Sequence, residues 1–230
     1  MRHDPTLLQL LLQLADSAFP VGSFAFSDSL ESAVAEAIVT DACTLEHYTE
    51  AIVRRTAHTD AVAALHAARA ARRDDYPALC AADGALLRTK LGDEARRMQQ
   101  RTGRKLTELA VALFDDPLLR QFHADLQSGR TAGCFPVAQG LLFARCGLPD
   151  EALFAAISYG AANRVLNAAL RCLRVSHIDT QRILVRLNQQ TAALYAEAVP
   201  LGLDEMHAFA PQIDLLAALH EQGSGRLFMN

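Results

Sequence analysis

Almost every apolar run in this sequence recurs at three- to four-residue intervals, and scarcely any stretch alternates as a strand would. That periodicity restricts the chain to an all-α fold. The breaks agree with it. Asp116 followed by Pro117 reads as a cap and a first-turn proline, Pro136 can open a helix, and Gly147-Leu148-Pro149 is a stop and restart. Helices are expected over 6–17, from near Asp28, over 45 to about 72, and over 77–90 with an interruption at Gly84. Others are expected from about 93 to 114, from 117, from 136 to 146, over 150–173, over 179–198 and from 211 to about 221. The apolar circumference of 6–17 predicts a helix buried within a bundle. Asp28 with Glu31 resembles a capping box. In the helix expected from about Asp93 to Phe114, Met98, Leu106, Leu109, Ala110 and Leu113 are expected to point inward. No repeat, low-complexity segment or long linker divides the 230 residues, so one multi-helix bundle with short loops is expected over 1–230.

Composition excludes several functions. The net charge of -4 gives no global attraction for nucleic acid. The apolar start LLQLLLQL is too short for a secretory or membrane-spanning segment and carries Gln9 and Gln13. Five cysteines, odd in number and without a C-x-x-C pair, read as reduced and mostly buried thiols. A cytoplasmic protein is the expectation.

The candidates for chemistry fail on context. Ser23 follows Gly22, but Ala25 stands where a nucleophile elbow needs its second glycine, and no strand precedes it. An all-α hydrolase using Ser23 or Ser27 is therefore a secondary reading. His220-Glu221 begins like H-E-x-x-H, but position 224 is serine, and no other histidines have metal-ligand spacing. GSGR at 223–226 lacks the strand and the G-K-[ST] of a phosphate loop. The cluster RRMQQRTGRK at 96–105 aligns Arg97, Arg101 and Arg104 on one helix face. RNA binding there is another secondary reading, because no aromatic residues are interleaved for stacking. An acidic protein partner suits the stripe better.

Two segments are sticky without being catalytic. The link ADSAFPVGSFAFSDSLE, residues 15–31, carries Phe19, Val21, Phe24 and Phe26 beside Pro20 and Gly22. The terminus GSGRLFMN places Leu227, Phe228 and Met229 beyond a Gly-Ser-Gly hinge. An apolar terminus either folds back on the core or docks on another chain.

Together with a third segment, these resemble the urease accessory protein UreF family. Its opening, of the form L-Q-L-A-S-x-x-L-P-V-G-G-F-S-Y-S-x-G-L-E, is matched here by Leu11, Leu14, Ala15, Pro20, Val21, Gly22, Phe24, Ser27, Leu30 and Glu31. Its central turn, of the form G-Q-T-D-G-Q-R, is matched in SHIDTQR at 176–182 by Asp179, Gln181 and Arg182. Its end is matched in APQIDLLAALHEQGSGRLF by Ala210, Pro211, Asp214, His220, Glu221, Arg226, Leu227 and Phe228. The departures are Ser23, Ala25, Phe26, Ser176 and Thr180, and no tyrosine precedes Arg226.

The resemblance implies a non-enzymatic, all-α, dimeric scaffold. Such proteins join UreD (also called UreH) and the GTPase UreG on apo-urease and support GTP-dependent delivery of nickel. Nickel and GTP are then handled by the partners, and no cofactor is expected on this chain. The loop residues Pro20, Gly22, Phe24, Ser27 and Glu31 and the terminal residues His220, Glu221, Arg226, Leu227 and Phe228 become the expected partner-binding set. Residues 223–230 become a tail that orders on contact with UreD. Arg97, Arg101 and Arg104 join the set on charge alone.

Overall fold

Side-chain caps set five of the helix starts among the described residues, at Asp4, Asp41, Asp75, Asp116 and Ser176. The computed structural model describes residues 4–22, 25–208, 210–222 and 227–228. These form α1 (Pro5–Ala15), α2 (Leu30–Ala35), α3 (Ala42–His58), α4 (Asp60–Arg72), α5 (Tyr76–Arg88) and α6 (Asp93–Leu113). They continue with α7 (Pro117–Gln127), α8 (Phe135–Arg145), α9 (Asp150–Cys172), α10 (His177–Asn188), α11 (Thr191–Ala198) and α12 (Pro211–Gln222). The fold is all-α, with no strand among the described residues. Asp116 Oδ1 accepts from the N–H groups of Leu118 and Leu119 at 2.9 and 3.0 Å, ahead of Pro117 as expected. Asp4 and Asp75 cap α1 and α5 in the same way.

Several boundaries differ from expectation for local reasons. The stretch 45–72 divides at Thr59, whose φ of -129° and ψ of -77° leave the helical region. Its hydroxyl lies between the Arg55 carbonyl (2.7 Å) and Asp60 Oδ2 (2.8 Å). The stretch 179–198 divides into α10 and α11, and Gly84 does not interrupt α5. Segment 176–182 is no turn. Ser176 and Asp179 form a capping box, and the segment opens α10. A second capping box, Asp41 with Thr44, opens α3. Leu113 is 53% exposed rather than inward, whereas Leu106 and Ala110 are buried.

The core is centred on α4 and α8. From Pro136 to Ala144 every residue of α8 is buried, so this helix must be enclosed on all sides. Alanines meet it from α4, where Ala61, Ala64, Ala68 and Ala71 are fully buried. Gly140 sits at the crossing, where a β-carbon would overlap the carbonyl oxygen of Ala64. α6 passes equally close to the chain before α8. A β-carbon on Gly103 would overlap the carbonyl oxygen of Gly133. Buried Asp83 holds that same turn by accepting from Gly133 N (2.8 Å), Cys134 N (2.7 Å) and Thr131 Oγ1 (2.5 Å). The remaining helices surround this centre, with α3 and α4 against α9 and with α12 against α2 and α6.

α1 overturns the reading of 6–17 as an interior helix. It lies along α9, buries only Leu14, and leaves Leu8 50% and Leu12 63% exposed. A neighbour covers one side of its apolar circumference, and the other side faces solvent.

Candidate functional site

In the apolar link, Val21, Phe26, Ser27 and Ser29 pack inward ahead of α2, whose Glu31 meets the C-terminus. Val21 and Phe26 are buried, and Gly22 turns the chain at a φ of +79°. Pro20 remains exposed. The expected Asp28–Glu31 capping box is not formed, because both side chains are engaged elsewhere. Asp28 and Ser29 are left-handed, with φ of 52° and 65°, and Ser29 caps α2 without a side-chain bond. Such backbone costs a non-glycine residue about 1–2 kcal/mol. It is held by Arg164 Nε on Asp28 Oδ2 (3.0 Å) and by Tyr48 OH donating to the Asp28 carbonyl (2.7 Å).

Glu31, released from capping, receives the tail. Its Oε1 accepts from Leu227 N at 2.8 Å, and its Oε2 accepts from Phe228 N at 3.2 Å. His220 Nε2 lies 3.3 Å from the same Oε2, and His220 Nδ1 lies 2.9 Å from Glu94 Oε2. Burial alone would raise the Glu31 carboxyl. The Leu227 and Phe228 N–H groups, with His220, outweigh it and hold the carboxyl below the usual range. Glu221 completes the cluster. The α6 N-cap is Gly92, which offers no side chain, and Glu221 Oε1 accepts from Glu94 N at 2.9 Å in its place. A carboxylate there also faces the positive end of α6.

Phe228 is 5% exposed, and the Arg171 guanidinium stands 4.7 Å from its ring centroid. Of the two fates open to an apolar terminus, this residue takes the fold-back. Its ring also walls a cavity of about 430 Å³ that reaches Phe26, Gln99, Gln139 and Asn167. The side-chain oxygens of Gln99 and Gln139 have no hydrogen-bond partner among the described residues.

Beside the tail, α12 presents a face without charge. Its inner residues Ile213, Leu216 and His220 are buried. Its outer residues Pro211, Gln212, Leu215, Ala218 and Leu219 are exposed, with Leu215 at 66% and Leu219 at 50%. Leu227, whose N–H is held by Glu31, is also exposed, at 58%.

The structure thus brings together Glu31, His220, Glu221, Leu227 and Phe228. Phe24, Ser23 and Arg226 lie outside the described residues, as do 223–226 and 229–230 of the expected tail. Ser27 is fully buried, where no substrate reaches its hydroxyl. Arg97, Arg101 and Arg104 are exposed on α6, beginning one turn beyond Glu94. Glu94 and Arg171 belong to the cluster and were not singled out by spacing. Only the first-turn position of Glu94 marked it, and nothing in the pattern linked Arg171 to the tail. Among the described residues no three His, Cys, Asp or Glu side chains gather as metal ligands, and no helix is long and apolar enough to cross a membrane.

Comparison with known proteins points to the same family as the three sequence segments. The UreF family model matches residues 39–188. The urease accessory protein UreF 2 of Brucella canis is 43% identical over 229 residues, covering 100% of this chain and 94% of the relative. The urease accessory proteins UreF of Photorhabdus laumondii and Yersinia enterocolitica are 37% and 35% identical, each over 96% of both chains.

Proposed function

The chain belongs to the UreF family of urease accessory proteins, and from that premise we propose that it is a non-enzymatic scaffold of urease maturation in the cytoplasm. It holds UreD (UreH) and the GTPase UreG on apo-urease, with nickel and GTP carried by those partners. The observation that carries this reading is the uncharged strip of Leu215, Ala218 and Leu219 on α12, together with the exposed Leu227, at the C-terminal edge. Apolar surface left outside by a folded chain favours a partner surface. We place UreD on this strip.

Two further apolar faces fit a chain with several contacts. α1 exposes Leu8 and Leu12, and α10 exposes Ile178 at 62% and Val185 at 58%. These offer room for self-pairing as a dimer and for a second partner. The exposed cations of α6 fit an acidic surface, which we assign to UreG or apo-urease.

Deleting residues 223–230, or replacing Leu215 and Leu219 with glutamate, should abolish retention of UreD in a pull-down and sharply reduce urease activation in cells. Undiminished retention by both variants would sink the assignment of this edge. Reversing Arg97, Arg101 and Arg104 to glutamate should leave UreD bound but remove UreG from the complex on size exclusion. The wild-type complex should weaken with added salt. A triple variant that still elutes as the full complex would return those arginines to an ordinary solvated face.

A further inference from the structure

We propose that His220 is a proton-operated latch that holds the chain's own C-terminal segment against Glu31, releasing Phe228 when its imidazole loses a proton. A neutral imidazole has one N–H and can donate to one acceptor, whereas the imidazolium donates from both nitrogens. Here Nδ1 faces Glu94 Oε2 at 2.9 Å and Nε2 faces Glu31 Oε2 at 3.3 Å. Ionised carboxylates only accept, so both contacts exist together only with the charged ring.

The surroundings make that charge matter. His220 on α12 meets Glu31 from α2 and Glu94 from α6, and its neighbour Glu221 binds the same turn of α6. From α9, Arg171 stands over Phe228, and Cys172 lies within electrostatic reach of Glu31. The ring itself is buried, with a side-chain exposure of 2%. Removing its proton leaves two carboxylates facing one another across a neutral spacer, with Glu31 19% and Glu94 11% exposed. Glu31 is the group that yields, because it lies at the start of the six-residue α2. Its two oxygens are also what receive the N–H groups of Leu227 and Phe228. Loss of the latch therefore frees the tail, uncovers the Phe228 ring and opens one wall of the cavity beneath it.

The opposite limit follows from Glu31. Its carboxyl is held below the usual range, so it stays ionised until the pH falls well into acid. The tail is then seated in a window between Glu31 protonation and His220 deprotonation. This inference concerns the isolated chain, and it stands whether or not UreD docks on the strip.

The test is amide exchange of Leu227 and Phe228 in the full chain, corrected for intrinsic rates, from about pH 5.5 to 8.5, a range that brackets histidine titration. Protection of both amides should fall about tenfold or more as pH rises, in keeping with loss of a charged hydrogen bond. Its midpoint should coincide with the His220 titration read from the ring resonances. In His220→Gln the two amides should show weak protection without that step. In Glu94→Gln one flanking anion is gone, so the midpoint should move to lower pH while the tail anchor on Glu31 remains. Protection that stays flat across the His220 titration, or falls equally in His220→Gln, overturns the latch. Should His220→Gln fail to fold, an unmoved midpoint in Glu94→Gln overturns it by itself.

Discussion

Lys90→Met should destabilise the protein by about 3–5 kcal/mol at neutral pH, the range for stripping one partner from a buried ion pair. Lys90 Nζ lies 2.5 Å from Asp60 Oδ2, and both residues are buried, at 7% exposure each. Asp60 also accepts from Gln99 Nε2 at 2.7 Å and from the Thr59 hydroxyl at 2.8 Å. Burial on its own would raise the Asp60 carboxyl. The Lys90 charge and its hydrogen bond, then Thr59 and Arg164, outweigh burial and hold it below the usual range. Methionine keeps most of the lysine stem, so the change removes charge more than volume.

The two proteins should respond to acid in opposite directions. In the wild type the Asp60 contribution is complete above the unfolded aspartate value of about 3.9 and is lost as pH falls through the lower folded value. In Lys90→Met, burial acts with less opposition and raises the folded value. Its penalty should then shrink as pH falls from 7 toward 4. Urea midpoints measured at pH 7, 6, 5 and 4 should therefore converge. A constant gap at every pH would show that Lys90 is not what keeps Asp60 ionised.

A second large effect belongs to two glycines. Gly103→Ala and Gly140→Ala should each cost about 1–3 kcal/mol or more, because the added carbon meets backbone rather than a movable side chain. At Gly140 the obstacle is the Ala64 carbonyl, so α4 and α8 must separate. At Gly103 it is the turn held by Asp83, so α6 must withdraw from the start of α8. Gly84→Ala is the contrast. Its nearest obstacle is Arg88 Nη1 at 3.4 Å, and helix propensity favours alanine over glycine by about 0.5–1 kcal/mol. Thermal melts should rank Gly84→Ala above wild type and both other variants well below it. Wild-type stability in Gly140→Ala would mean that the two helices cross less closely.

Much of the fold was legible because caps and periodicity act locally. Asp116-Pro117, the restart at Pro149 and the final helix at Pro211 all stand where short-range chemistry puts them. The failures share a cause, which is that partners distant in the chain won. Asp28 could have capped a helix, but Arg164 from α9 claims it. Glu31 could have completed the box, but the tail claims it from 196 residues away. α1 has the composition of an interior helix, yet only the arrangement of the other helices decides how many sides are covered. Within the site, the matched residues Glu31, His220, Glu221, Leu227 and Phe228 were legible through the family segments. Glu94 and Arg171 were not, since a carboxylate in a first turn and an arginine in a last turn are ordinary helix features.

The cysteines give the protein a built-in chemical handle. Burial pushes the thiols of Cys80, Cys134 and Cys172 upward, and that of Cys146 up to about 11. Cys43 alone among them is exposed, in the first turn of α3. A maleimide dye at neutral pH should therefore attach once per chain under native conditions, and four more times after unfolding. One fluorophore at a fixed point on α3 would report assembly on a partner by anisotropy, without any residue having been replaced.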